Sequence, residues 1–256
     1  ISARLTEAEN GELERQLAQF ARTPRVAELL AEVAASDDTA AVTRHLALRA
    51  MRDSNVKETP AAWWPALAQA LVAADNALVA QAAATAKALP PAKQPDGQFL
   101  PLLLNLAQDS QRPAPTRLDA MAAIPGGLPT VTPELFGFLA GQLAVEIPVP
   151  QRMSAADAIS KARLSPAQFE ATAELIGQVG PMEADRLLAT FERSTDEQLG
   201  FKLLASLHAS KALASIRIDA IKQRLAKYPA SVREQAQSLY ELMNVDQAKQ
   251  LARLEE

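Results

Sequence analysis

The stretch Arg117-x-x-Ala120-x-x-Ala123, followed by Ile124, is not unique in this chain. Arg44-x-x-Ala47-x-x-Ala50 precedes it and Arg152-x-x-Ala155-x-x-Ala158 follows it. A copy without the arginine, Ala80-x-x-Ala83-x-x-Ala86, lies between the first two. The starts at 44, 80, 117 and 152 are spaced by 36, 37 and 35 residues. Positions 0, +3 and +6 share one face of an α-helix. Alanine on that face lets another helix approach closely. An arginine at the end of the stripe can reach a carboxylate or a carbonyl of the neighbouring repeat. A near-constant period of this length means one supersecondary unit, copied, that buries its apolar face only against its neighbours.

The unit is a pair of helices. Apolar residues recur at helical spacing, as in Leu199, Leu203, Leu207 and Ile218, Ile221, Leu225, and period-2 alternation is nearly absent. Thr6-x-x-Glu9, Ser165-x-x-Gln168 and Ser194-x-x-Glu197 each fit a capping box. Thr23-Pro24, Thr59-Pro60, Thr132-Pro133 and Ser165-Pro166 put a capping hydroxyl before a proline suited to the first helical turn. The pattern predicts helices over 6–21, 24–35, 39–53, 60–73, 75–88, 97–108, 115–124, 133–144, 151–162, 166–178, 181–193, 196–209, 215–227 and 230–243. Short helices with short connections form antiparallel hairpins. The expected fold is therefore all-α: a right-handed α-α superhelix of HEAT or armadillo type, with about seven helix pairs. Residues 1–256 read as a single solenoid domain. Loop-like segments at 89–98, 109–116, 125–133 and 146–151 are too short for a domain linker. The motif blurs after residue 162, as terminal repeats of a solenoid do.

Composition narrows the function by exclusion. With no cysteine, the chain holds no disulfide, iron–sulfur cluster, thiolate metal site or covalent haem. Its two histidines, His45 and His208, stand far apart in sequence, so neither a cofactor nor a metal is expected in this segment. His208 falls on an apolar face and reads as a packed histidine; His45 reads as a surface residue beside Arg49 and Arg52. The net charge of −4 gives no general affinity for nucleic acid or anionic membrane. No apolar run approaches the length of a membrane span. P-loop, dinucleotide-binding, nucleophile-elbow and zincin motifs are missing, so no enzymatic activity is expected.

Two places stand out as interaction candidates. Trp63 and Trp64 are neighbours on a helix, about 100° apart, so at most one can be fully buried. They read first as packing between repeats and second as a stacking site for a partner. Residues 200–233 carry Lys202, Lys211, Arg217, Lys222, Arg224, Lys227 and Arg233 against Asp219 alone, a net of +6. Arg217, Arg224 and Lys227 are expected to share a stripe that could dock an acidic protein or an adjoining domain.

The C-terminal half, residues 145–256 above all, carries a resemblance. Val179-Gly180-Pro181, the run Phe191-Glu192-Arg193-Ser194-Thr195-Asp196-Glu197 and the closing Leu251-Ala252-Arg253-Leu254 resemble the helical repeat region of large exported c-type cytochrome polypeptides of the planctomycete and verrucomicrobial type. In that family a membrane-bound-dehydrogenase-like β-propeller precedes the repeats and a cytochrome c domain follows them. The resemblance implies an exported, periplasmic segment of a multidomain polypeptide, and the start at Ile1 reads as that of a fragment. It implies a non-catalytic scaffold, spacer and protein-interaction module between the two domains. It carries no functional residue over, and the family's Cys-x-x-Cys-His is not in this sequence. A free-standing HEAT adaptor gripping a peptide or protein is the alternative. A HEAT-like DNA glycosylase would need a basic groove with aromatics and a central carboxylate, against which the acidic balance argues.

Overall fold

The computed structural model describes residues 7–91, 97–210 and 212–254; of 7–10 and 245–254 it describes the helical backbone alone. Among these residues the fold is all-α, with fourteen α-helices, two short 3-10 helices and no strand. Contacts divide the chain into two compact units, Ile1–Gly127 and Leu128–Glu256. The division falls at a turn where Gly126 and Gly127 take φ of 77° and 83°, a conformation that costs glycine little.

The first unit holds α1 (Glu7–Phe20), α2 (Pro24–Ala35), α3 (Ala41–Arg52), α4 (Trp63–Leu71), α5 (Asn76–Ala88), α6 (Phe99–Gln108) and α7 (Ala114–Ala123). Its main packing follows one rule. Each even helix packs on the odd helix after it: α2 on α3, α4 on α5, α6 on α7. Evens pack on evens (α2, α4, α6) and odds on odds (α1, α3, α5, α7). Among the described residues no comparable packing joins α1 to α2, α3 to α4 or α5 to α6. The structural unit is therefore an even–odd pair. Ala47, Ala50, Ala83 and Ala120 on the odd helices are buried, which is what close approach between odd helices requires.

The second unit holds α8 (Pro133–Gly141), α9 (Val149–Lys161), α10 (Pro166–Ile176), α11 (Pro181–Leu188), a 3-10 turn at Ala189–Arg193, α12 (Glu197–Ala209), a second at Leu213–Ser215, α13 (Ile218–Leu225) and α14 (Ala230–Leu254). The same rule pairs α8 with α9 and α10 with α11, and stacks α9 on α11 and α10 on α12. At the end it changes: α13 packs on α14 and on the first 3-10 turn. Gly200 of α12 sits so close to Tyr228 and Val232 that a Cβ there would meet their side chains at 2.8 Å.

Every helix expected from the sequence is present, most with ends displaced by a few residues; the one expected over 181–193 turns 3-10 after Leu188, and the last, expected to end at 243, runs to Leu254. Three start signals act differently from the expectation. Asp196, not Ser194, caps α12: its carboxylate accepts from the Leu199 N–H at 2.7 Å, while Ser194 accepts from the Asp196 N–H at 3.1 Å. Thr59 caps nothing, because its hydroxyl donates to the Pro90 carbonyl at 2.8 Å and α4 begins four residues later. Thr23 is the N-cap residue of α2 but makes no side-chain cap bond. Thr132 and Ser165 do cap, and Ser165 with Gln168 completes a capping box. Thr6 lies outside the described residues.

The repeated arginine has a consistent role. Arg44, Arg117 and Arg152 are each the fourth residue of an odd helix: α3, α7 and α9. Arg44 Nε donates to the Ala34 carbonyl at 3.0 Å, in the last turn of α2, and Arg117 Nε to Ala107 at 2.9 Å, in the last turn of α6. Each thus ties its helix to the carbonyl end of its own pair partner, where a cation is favoured. Asp37 bonds Arg44 at 2.9 Å. Burial pushes the Arg117 pKa down, and Asp109 partly opposes this. Arg152 donates to the Ile147 carbonyl at 2.7 Å and also reaches the next pair, meeting buried Glu183 at 2.7 Å. In α5 the fourth residue is Val79, fully buried, so the arginine-free copy sits one step out of register at half-buried Ala80.

Bonds between pairs repeat the sequence period. Trp63 to Ala27, Thr85 to Leu48, Gln168 to Val131, Ser210 to Ile176, Lys87 to Asp119 and Arg152 to Glu183 span 36, 37, 37, 34, 32 and 31 residues. Each joins positions one repeat apart.

Candidate functional site

The second unit contains an open groove of about 810 Å³ between α10 and α12, lined also by Gln235 of α14. Its floor is apolar: Leu164, Phe169 and Phe201 are half-buried and Leu199 is buried. The ring of Phe169 stands edge-on to fully buried Phe191, centroids 6.2 Å apart at 70°. Phe169 therefore packs against the core through Phe191 and also lines the groove.

The rim is charged, and each charge has a partner in the protein. Lys202 bonds Glu174 at 2.8 Å and Glu170 at 3.1 Å. These bonds, that to Glu174 first, hold its ammonium above the ordinary lysine value. Arg193 donates to the carbonyls of Ser160 and Lys161 at 2.5 and 3.3 Å, at the carbonyl end of α9. Asp196 caps α12. These groups shape and solvate the edge of an apolar slot. That arrangement suits binding of an apolar or aromatic side chain flanked by polar backbone.

The interaction candidates from the sequence fall into several places. Lys202 lines this groove. Trp63 is fully buried, its Nε1–H donating to the Ala27 carbonyl at 3.0 Å, and so serves packing between α4 and α2. Trp64 is half-buried, edge-on to Phe99 of α6 with centroids 5.1 Å apart. The expected Arg217–Arg224–Lys227 stripe is not a helix face. Arg217 is the N-cap residue of α13, and Lys227 lies beyond its last turn. Both are exposed. Arg224, between them, is half-buried and ion-paired with Glu192. Lys222 lies over the Tyr240 ring, 5.2 Å from its centroid. The +6 counted along the sequence is thus partly offset by Glu170, Glu174 and Glu192 from other helices. Lys211 lies outside the described residues.

The histidines also differ from expectation. His208 is exposed, not packed, because the buried stripe Leu199–Leu203–Leu207 leaves the next residue turned off the core. His45 is half-buried, with Nε2 3.9 Å from an Asp75 carboxylate oxygen. Among the described residues no group of three or more His, Asp or Glu side chains is placed to hold a metal ion. No helix among them is long and apolar enough to cross a membrane.

Phe169 and Phe201 were not singled out in the sequence, although a signal was there: two aromatics one repeat apart, on successive even helices. No protein-family model matches this chain, and no curated protein matches it significantly.

Proposed function

We propose that this chain is a non-catalytic scaffold and protein-interaction module whose helix pairs follow the HEAT-like, right-handed α-α superhelix within each unit. The observation that carries this reading is the agreement of two periods. The arginine–alanine motif recurs at 35 to 37 residues, and bonds between pairs span nearly the same distance, from 31 to 37. Such an array transmits position and load from pair to pair, each contacting its neighbours. The resemblance over residues 145–256 supplies the context: a spacer in an exported polypeptide between a dehydrogenase-like domain and a cytochrome c domain, binding no cofactor itself. The partner is then the adjoining domain or an acidic protein, and Arg217 and Lys227 are among the exposed cations that could meet it.

The coding sequence beyond Glu256 tests this. A Cys-x-x-Cys-His shortly downstream supports the spacer reading, and an open reading frame that ends without one overturns it. Given such a domain, its binding in trans should weaken with salt and be lost on Arg217→Glu with Lys227→Glu. Arg224 is left intact in that test because its loss would unpair Glu192 within the fold.

The α10–α12 groove favours a second reading, an adaptor that grips a peptide. Peptides selected from a random library on the wild-type protein should lose binding to the Phe169→Ala, Phe201→Ala variant. Equal binding to both proteins would remove the groove from consideration.

A further inference from the structure

Among the described residues, the pairing rule of the first unit leaves one helix unmatched. α3, α5 and α7 each have an even partner before them, and α1 is an odd helix that packs on α3 as α3 packs on α5. Among the described residues no even helix stands before it. The position such a helix would fill, against α1 and α2, is an apolar groove of about 180 Å³. Leu13 and Leu17 of α1 form one wall, Leu29 and Val33 of α2 the other, and Leu46 of α3 lies at its floor. Leu13 is 36% and Leu29 48% exposed, whereas Leu67 and Ala70 of α4, within the stacked row, are 0% exposed. α2 is apolar on two faces. Ala27, Leu30, Ala31 and Ala34 are buried, while Val26, Leu29 and Val33, at positions i, i+3 and i+7, form a second stripe partly open to solvent. A helix with two apolar faces belongs between two neighbours.

We propose that this groove seats one more amphipathic helix, the first member of α1's pair, carried by polypeptide N-terminal to α1. The inference rests on the repeat reading above. The seat continues the α2–α4–α6 row, an interface the fold already uses. The two helices of a pair in this unit are joined by only four or five residues (36–40, 72–75 and 109–113), so the partner of α1 lies close ahead of it in sequence. Its contact stripe is of alanine and leucine, as in α2. Exposed Glu28 and Glu32 on α2 favour lysine or arginine on its shoulders.

The test extends the full chain with a copy of residues 23–36 placed ahead of residue 1. The extended protein should melt several degrees higher than the parent and bind less of the apolar dye anilinonaphthalene sulfonate. Leu13→Gln with Leu29→Gln should remove that gain, yet barely move the midpoint of the unextended chain, where both residues are exposed. An unchanged midpoint and unchanged dye binding on extension would overturn the proposal. So would saturable binding of the 23–36 peptide in trans without any gain from the tethered copy, which would make the groove a site for another protein. A dimer in sedimentation that Leu13→Gln dissociates would assign the groove to a second copy, and overturn it too. None of these outcomes depends on what lies beyond Glu256, so the proposal can fail while the scaffold reading stands.

Discussion

The two units solve the same packing problem in the same way, and differ in one buried link between pairs. In the first, the stripe alanines of the odd helices are buried, and Arg44 and Arg117 each donate to a carbonyl at the end of the preceding helix. In the second, Arg152 bridges to the buried carboxylate of Glu183 in the next pair. Other bonds between pairs occur in both units: Gln168 and Ser210 reach carbonyls one repeat back as Trp63 and Thr85 do in the first, and Arg224 pairs with Glu192 as Lys87 does with Asp119. Alanine stripes make an interface that any similar pair can join. Directed polar bonds make each junction individual. The second unit is also where the motif fades and 3-10 turns follow α11 and α12.

The sharpest way to break this contrast is Arg152→Met. It strands a buried carboxylate, and should cost about 3–5 kcal/mol in a urea titration. Adding Glu183→Leu should restore much of the loss; a double variant as weak as the single would mean that the arginine acts within its own pair. Next is Arg117→Met in the first unit, which removes a charged donor from the Ala107 carbonyl at a predicted cost of about 1.5–3 kcal/mol. Should it equal or exceed Arg152→Met, the two units would not differ as argued.

Ala120→Leu and Ala155→Leu, both at fully buried positions, should each cost about 1–3 kcal/mol by overpacking. Gly200→Ala belongs to the same class, since its Cβ has no room beside Tyr228 and Val232. A neutral Ala155→Leu beside a costly Ala120→Leu would show that only the first unit relies on the stripe. Smaller still is the cap of α12: Asp196→Ala should lower stability by about 1 kcal/mol, with Ser194→Ala below it. The reverse order would reinstate Ser194 as the cap. At the bottom, exposed Gln237→Ala should stay under about 0.5 kcal/mol, setting the floor against which the rest are read.

Much of the fold was legible because its signals are local. A stripe at 0, +3 and +6, a proline after a hydroxyl and a run of leucines at helical spacing all depend on residues within a turn or two. All fourteen helices follow from them. Errors arose where a side chain had a better distant partner. Thr59 bonds Pro90 and so leaves the start of α4 uncapped. Arg224 pairs with Glu192 and so drops out of the basic stripe. Counting charge along residues 200–233 could not show that Glu170 and Glu174, one repeat earlier, cover Lys202.

By itself, then, the sequence determined the helices, their rhythm of about one pair per 36 residues, and the small-residue faces on which odd helices stack. The backbone periodicity of a helix is short-range, and these features are written in it. Tertiary structure alone decided which tryptophan is buried, which cations remain exposed, and that Phe169 and Phe201 line a groove. It also decided that α2 keeps a second apolar face. Each of these depends on what lies one repeat away, across a gap of 31 to 37 residues, and only folding closes that gap.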